Sequence, residues 1–264
     1  MNDAMVQRRT VVRYPHDNPV SDHLVVEEPM ELRVEGQPLA ITMRTPGHDL
    51  ELAAGFLYGE GVIDGLDDLV AMRHVDDPSA PQGNTVDCLL AGGVQAHREA
   101  ITRATRELYA TSSCGVCGKA SIDRLHIMTE PVVRGTAPRT SVLLGLNKTL
   151  RSMQLEFERT GGLHAAALVD MDGRVEVLRE DIGRHNAVDK VVGWRLRQGR
   201  VPVDDRMLVV SSRAGFEIIQ KALIARVPVV VAMGAASTLA VDLAARSGLR
   251  LYGFLRDDRY TVYT

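Results

Sequence analysis

From about Ser141 to the C-terminus, short apolar runs alternate with single helical repeats, and no other feature limits the fold of this chain so tightly. Met207 to Val210, Val227 to Met233 and Leu249 to Leu255 are nearly continuous apolar runs of strand length. Between them, His185 to Leu196, Phe216 to Ile224 and Leu239 to Ala245 carry apolar residues at helical spacing. A strand apolar on both faces must be covered on both faces, so the pattern predicts a layered α/β sheet, mainly parallel, with ligands favoured beyond the carboxyl ends of its strands. Those ends are Ser211-Ser212-Arg213, Gly234-Ala235-Ala236-Ser237 and Arg256-Asp257-Asp258-Arg259, which are expected to converge on one pocket. His164 to Val169 and Val175 to Leu178 read as a hairpin turned at Asp172-Gly173, preceded by a helix through Leu155 and Phe157.

Residues 1–140 have a different texture, and we divide the chain there into domains of residues 1–140 and 141–264. A polar arm with a short extended piece is followed by an irregular stretch from Pro15 to His23. The segments Leu24 to Val26, Met30 to Val34 and Leu39 to Met43, punctuated by Pro29, Gly36 and Pro38, read as the strands of a small sheet. Asp49 to Tyr58 has helical spacing, with Asp49 suited to cap it. Strands near Leu69 to Val75 and Thr85 to Leu90 and a helix from Val94 to Tyr109 then lead into the run Thr111-Ser-Ser-Cys114-Gly-Val-Cys117-Gly-Lys119.

Composition narrows the function classes. At 264 residues and 45% apolar content the chain can bury a core without disulfide staples. Its net charge of −3, with both signs scattered, argues against nucleic acid as a partner. The N-terminus lacks the apolar core of a secretory signal and no run reaches the length of a membrane span, so a cytoplasmic protein with no membrane partner is expected.

Two of the three cysteines, Cys114 and Cys117, therefore serve chemistry rather than stapling. A Cys-x-x-Cys pair can be half a zinc site, a dithiol couple, or a carrier that takes sulfur as a persulfide. No second pair supplies a closed zinc site, although His126 is available as one ligand, and Ser113 stands where a deaminase-type motif requires proline. Cys88 lies in an apolar strand and reads as core packing. The cluster Arg179 to Asn186 fits a solvated loop or a site, and His164 fits a structural histidine or a site residue. Arg256 and Arg259 beyond a strand can grip a diphosphate, with Phe254 offering a face to a base.

Taken together, the ordered blocks resemble the FdhD family over nearly the whole chain: Glu27-Glu28-Pro29, Thr45 to Asp49, Gly55-Phe56 with Gly59-Glu60-Gly61, the cysteine loop, Gly161 to Ala166, Arg179 to Lys190, Ser211 to Arg213 with Phe216-Glu217, and Gly253 to Thr264. The resemblance implies a small N-terminal α+β domain followed by a cytidine-deaminase-like three-layer α/β/α domain, in a homodimer and without resident metal. It further implies a sulfurtransferase that accepts sulfur from a cysteine desulfurase and passes it to the bis-molybdopterin guanine dinucleotide molybdenum cofactor, in the service of formate dehydrogenase. GDP or GMP can mimic that client. Cys114 matches the persulfide cysteine and Cys117 its partner, while Phe254, Leu255, Arg256, Asp257, Asp258 and Arg259 match the cofactor-binding segment, with His164 and Arg213 as neighbours. Asp258 departs from the family's usual glycine, and a carboxylate beside phosphates is unfavourable unless it turns outward. The alternatives are a non-catalytic zinc- or nucleotide-binding assembly chaperone and a dithiol oxidoreductase.

Overall fold

The computed structural model describes residues 5–75, 83–112, 132 and 135–264; Cys114, Cys117 and His126 lie outside them. Among the described residues three sheets organise the chain. The first is an antiparallel ribbon of β1 (Val6–Arg13) and β2 (His16–Val25). In the second, β3 (Glu28–Val34), β4 (Gln37–Arg44), β5 (Leu69–His74) and β6 (Thr85–Leu90) stand in the order β4-β3-β6-β5. Helix α1 (Asp49–Gly59) packs on this sheet, followed by α2 (Gly93–Ala96) and α3 (Arg98–Ser112).

The third sheet holds β7 (His164–Val169), β8 (Val175–Asp181), β9 (Met207–Val210), β10 (Val229–Ala232), β11 (Arg250–Gly253) and β12 (Thr261–Val262), in the order β12-β11-β10-β9-β7-β8. Its helices are α4 (Thr140–Met153), α5 (Leu155–Thr160), α6 (Arg184–Leu196), α7 (Phe216–Ile224) and α8 (Thr238–Ser247). Successive strand residues point to opposite sides. Thus Ala167, Val169, Met207, Val209, Val229 and Val231 pack with Leu143, Leu146 and Leu150 of α4, while Ala166, Leu168, Leu208, Val210, Val230 and Ala232 pack with α6, α7 and α8. This is the expected α/β/α layering.

Strand direction follows expectation in part. In this sheet β9, β10 and β11 run parallel and β7 and β8 form the antiparallel hairpin, both as expected, whereas β7 is antiparallel to β9 and β12 to β11. Burial on both faces makes a strand apolar whichever way it runs, so composition alone does not report direction. The stretch expected to be irregular is most of β2, paired with β1 from Val6 opposite Val25 to Arg13 opposite His16, through a register shift between Val12 and Arg13. Two expected helices are each split, at His97, whose ring nitrogens lie 3.0 Å from the carbonyl oxygens of Val62 and Ala91, and at the buried Gln154. Helix α1 is entered through His48 in a left-handed conformation, and Asp49 forms a two-pronged pair with buried Arg44 instead of capping. Cys88 is buried in the core, and burial pushes its thiol up to about 12. Among the described residues no helix is long and apolar enough to cross a membrane.

Two features lock α1 and its sheet to the third sheet. Helices α1 and α6 cross at glycines: a Cβ on Gly55 would sit 1.9 Å from the Asp189 carbonyl oxygen, and one on Gly193 1.9 Å from that of Glu51. Beside this crossing, Asp181 and Lys190 form a fully buried ion pair at 2.7 Å. Lys190 Nζ donates to the Thr45 carbonyl (2.9 Å), and Asp181 accepts from the Thr45 and Gly183 amides and the Asn186 side chain. The ionisable run Arg179 to Asn186 is therefore the clasp between the two sheets.

Candidate functional site

A cleft of about 790 Å³ opens where the sequence placed it, beyond the carboxyl ends of β9, β10 and β11. The antiparallel β7 contributes its first residue, His164, to the same edge, opposite Asp181 at the end of β8. Ser211 joins β9 to β7 through reciprocal bonds: the Ser211 amide donates to the Ala165 carbonyl and the Ala165 amide to Ser211 Oγ, both at 2.9 Å. Gly234 floors the cleft for steric reasons, since a Cβ there would meet the Arg213 backbone nitrogen and Cα at 2.9 Å.

The lining is cationic. Arg151 from α4, Arg184 from α6, Arg213 after β9 and Arg256 after β11 all face the cleft, and none of its described lining residues is a carboxylate. Arg151 lies over the Phe157 ring at 4.5 Å, and Arg256 Nη1 donates to the carbonyls of Met233 (2.7 Å) and Leu255 (2.6 Å). Among the described residues neither of these arginines, nor Arg213, is paired with a carboxylate. Glu217 approaches Arg184 only to 3.9 Å and lies 2.8 Å from His185 Nε2. The far wall is set by buried Glu180, whose carboxylate accepts from the amides of Glu156 (3.1 Å) and Phe157 (2.9 Å) at the start of α5. Four guanidiniums converging on a space of this size suit a phosphorylated or otherwise polyanionic ligand.

The segment 254–259 is divided by the fold. Arg256 lines the cleft, and Asp257 accepts from Asn147 Nδ2 (2.9 Å) at an adjoining cavity of about 390 Å³. Phe254 takes a left-handed φ of 50°, which turns its ring outward and sends Leu255 into the core. Arg259 bends back to Asp258 at 3.2 Å, and the exposure of both side chains, 71% and 73%, turns the Asp258 carboxylate into solvent. Phe254, Leu255, Asp258 and Arg259 are not among the lining residues. Conversely, Arg151, Asn147 and Phe157 line the cleft without having been singled out as site residues, because an arginine on an amphipathic helix carries no motif. Cys114 and Cys117 fall outside the described residues.

Known proteins match the chain along its length. The FdhD/NarQ family model covers residues 25–264. The sulfur carrier protein FdhD of Nocardia farcinica is 44% identical, the match spanning 100% of this chain and 95% of that protein. The proteins of the same name from Anaeromyxobacter dehalogenans and Streptomyces avermitilis are each 47% identical, over 98% of this chain and 91% and 94% of theirs. A crystal structure described as that of a formate dehydrogenase accessory protein from Desulfotalea psychrophila superimposes with a TM-score of 0.74 at 21% identity, over 98% of this chain and 96% of that one, a likeness of fold.

Proposed function

The chain belongs to the FdhD/NarQ family, and from that membership and the chemistry of the cleft we propose that it is a sulfur carrier: Cys114 accepts sulfur as a persulfide from a cysteine desulfurase, and the cleft holds the bis-molybdopterin guanine dinucleotide cofactor that receives it on the way to formate dehydrogenase. The observation that carries this reading is the arginine cleft. Arg151, Arg184, Arg213 and Arg256 surround a space of about 790 Å³, which suits the two diphosphates of such a client.

In the accepting step the Cys114 thiolate attacks the terminal sulfur of the donor's persulfide. A new sulfur–sulfur bond forms, the donor's bond breaks, and the donor cysteine leaves as a thiolate, so no net oxidation occurs. Cys117 shields or resolves the loaded sulfur. The arginines' part is to anchor and orient the client's phosphates by bidentate, charge-assisted contacts, while Ser211 and Gly234 keep the strand ends close enough to form one surface.

Mass spectrometry after incubation with a cysteine desulfurase and cysteine tests the proposal. The wild type is expected to gain the mass of one sulfur, and Cys114→Ala to gain none while binding GDP as the wild type does. Equal loading of the variant, or an unchanged wild-type mass, would end this reading. Metal analysis separates it from the chaperone alternative, which requires a zinc lost on replacing either Cys114 or Cys117.

A further inference from the structure

His164 supplies the only imidazole lining the cleft among the described residues, and the chemistry above gives it no task. It is half-buried at the first position of β7, facing Asp181 across the β7/β8 pair. Asp181 is committed elsewhere, to Lys190, the Thr45 and Gly183 amides and Asn186. The other charged or titratable groups around the ring are Arg184 and His185 at the start of α6, with Arg213, Arg151 and Arg256 on the remaining walls. Burial first, then the electrostatic influence of neighbouring Arg184 and His185, holds the imidazole below its ordinary range, against a weaker opposing pull from Asp181. These surroundings disfavour the protonated ring in the free protein. Added negative charge in the cleft reverses the sign of its surroundings and favours the protonated form.

We propose that His164 is a proton-coupled phosphate ligand: when a diphosphate enters the cleft, the imidazole takes one proton from solvent and donates a charge-assisted hydrogen bond to a phosphate oxygen. The proposal rests on the reading of the cleft as a nucleotide-cofactor site and adds to it a pH-dependent grip. No covalent bond changes; one proton moves from buffer to ring on binding and returns on release. Binding therefore tightens as pH falls through the neutral range and loosens as it rises, which gives the site a means of release that the permanently charged arginines lack.

Calorimetric titration with GDP, repeated in buffers of differing ionisation enthalpy, counts the protons. The wild type is expected to take up about one proton more per GDP than His164→Gln, which subtracts the nucleotide's own titration. At about pH 6 the variant is expected to bind about tenfold more weakly, the gap narrowing towards about pH 8. His164→Asn serves if the glutamine variant does not fold, and thermal melting of each variant checks that the scaffold is intact. Equal proton uptake with parallel pH curves would overturn the role of His164 and leave the cleft reading standing. Absence of GDP binding by the wild type at every pH would remove the cleft reading, and this proposal with it.

Discussion

Lys190→Met removes one half of the clasp between the sheets, and the structure fixes how much that should cost. The pair is fully buried on both sides at 2.7 Å, and the lost ammonium also served the carbonyls of Thr45 (2.9 Å) and Glu180 (3.3 Å). What remains is a carboxylate in the interior with three donors: the amides of Thr45 and Gly183 and the Asn186 side chain. Breaking a buried pair from one side typically costs about 3–5 kcal/mol, because the surviving charge stays desolvated. The three donors place this case towards the lower end, about 3 kcal/mol, a large share of the roughly 5–15 kcal/mol that holds a domain folded. Equilibrium urea unfolding of Lys190→Met, Asp181→Asn and the double variant measures it. The double variant should recover at least about 1.5 kcal/mol relative to the sum of the single changes, since it leaves no orphan charge. A Lys190→Met loss below about 1 kcal/mol, or strict additivity, would refute the view that this pair is an energetically coupled clasp.

Arg256→Ala should weaken GDP binding by about tenfold to a hundredfold in calorimetry, and the loss should shrink at high salt, whereas Arg259→Ala, whose guanidinium is exposed and turned to Asp258, should change it less than about threefold. Glu51 gives the protein an acid-sensitive limb: burial alone would raise its carboxyl, but hydrogen bonds from His48 and Arg179 and their charges bring it from 4.5 down to about 2. A carboxyl depressed on folding stabilises above its unfolded value and loses that contribution as pH falls towards the folded one, so about 3 kcal/mol should disappear between roughly pH 4.5 and pH 2, and Glu51→Gln should flatten this part of the stability curve.

Much of the third sheet was legible because its strands are short, apolar and separated by single helices. Phe216–Ile224 appears with the bounds read from its spacing, and the strand ends at Ser211 to Arg213, Gly234 and Arg256 meet in one cleft. Three things resisted. The ribbon β1/β2 is largely exposed on both faces, so Arg8, Arg9, Asp22 and His23 give no inside-outside alternation. The cluster Arg179 to Asn186 reads as a solvated loop or a site rather than as an internal clasp, because its partners, Glu51 for Arg179 and Thr45 for Asp181, like that of nearby Lys190, are more than a hundred positions away. Arg151 and Phe157 become neighbours only through the break at Gln154, and a repeat read straight through that break separates them.

The meeting of Gly55 with the Asp189 carbonyl, and of Gly193 with that of Glu51, has a mechanical corollary. Two rods touching main chain to main chain, each notched where the other bears on it, mesh like a mortise joint. Neither can rotate nor advance by a turn without driving a side chain into the other's carbonyls. Arg184, at the head of one rod, consequently inherits its position from a seat cut far earlier in the polypeptide, and the arginine-lined edge is held in alignment by two residues that never approach it.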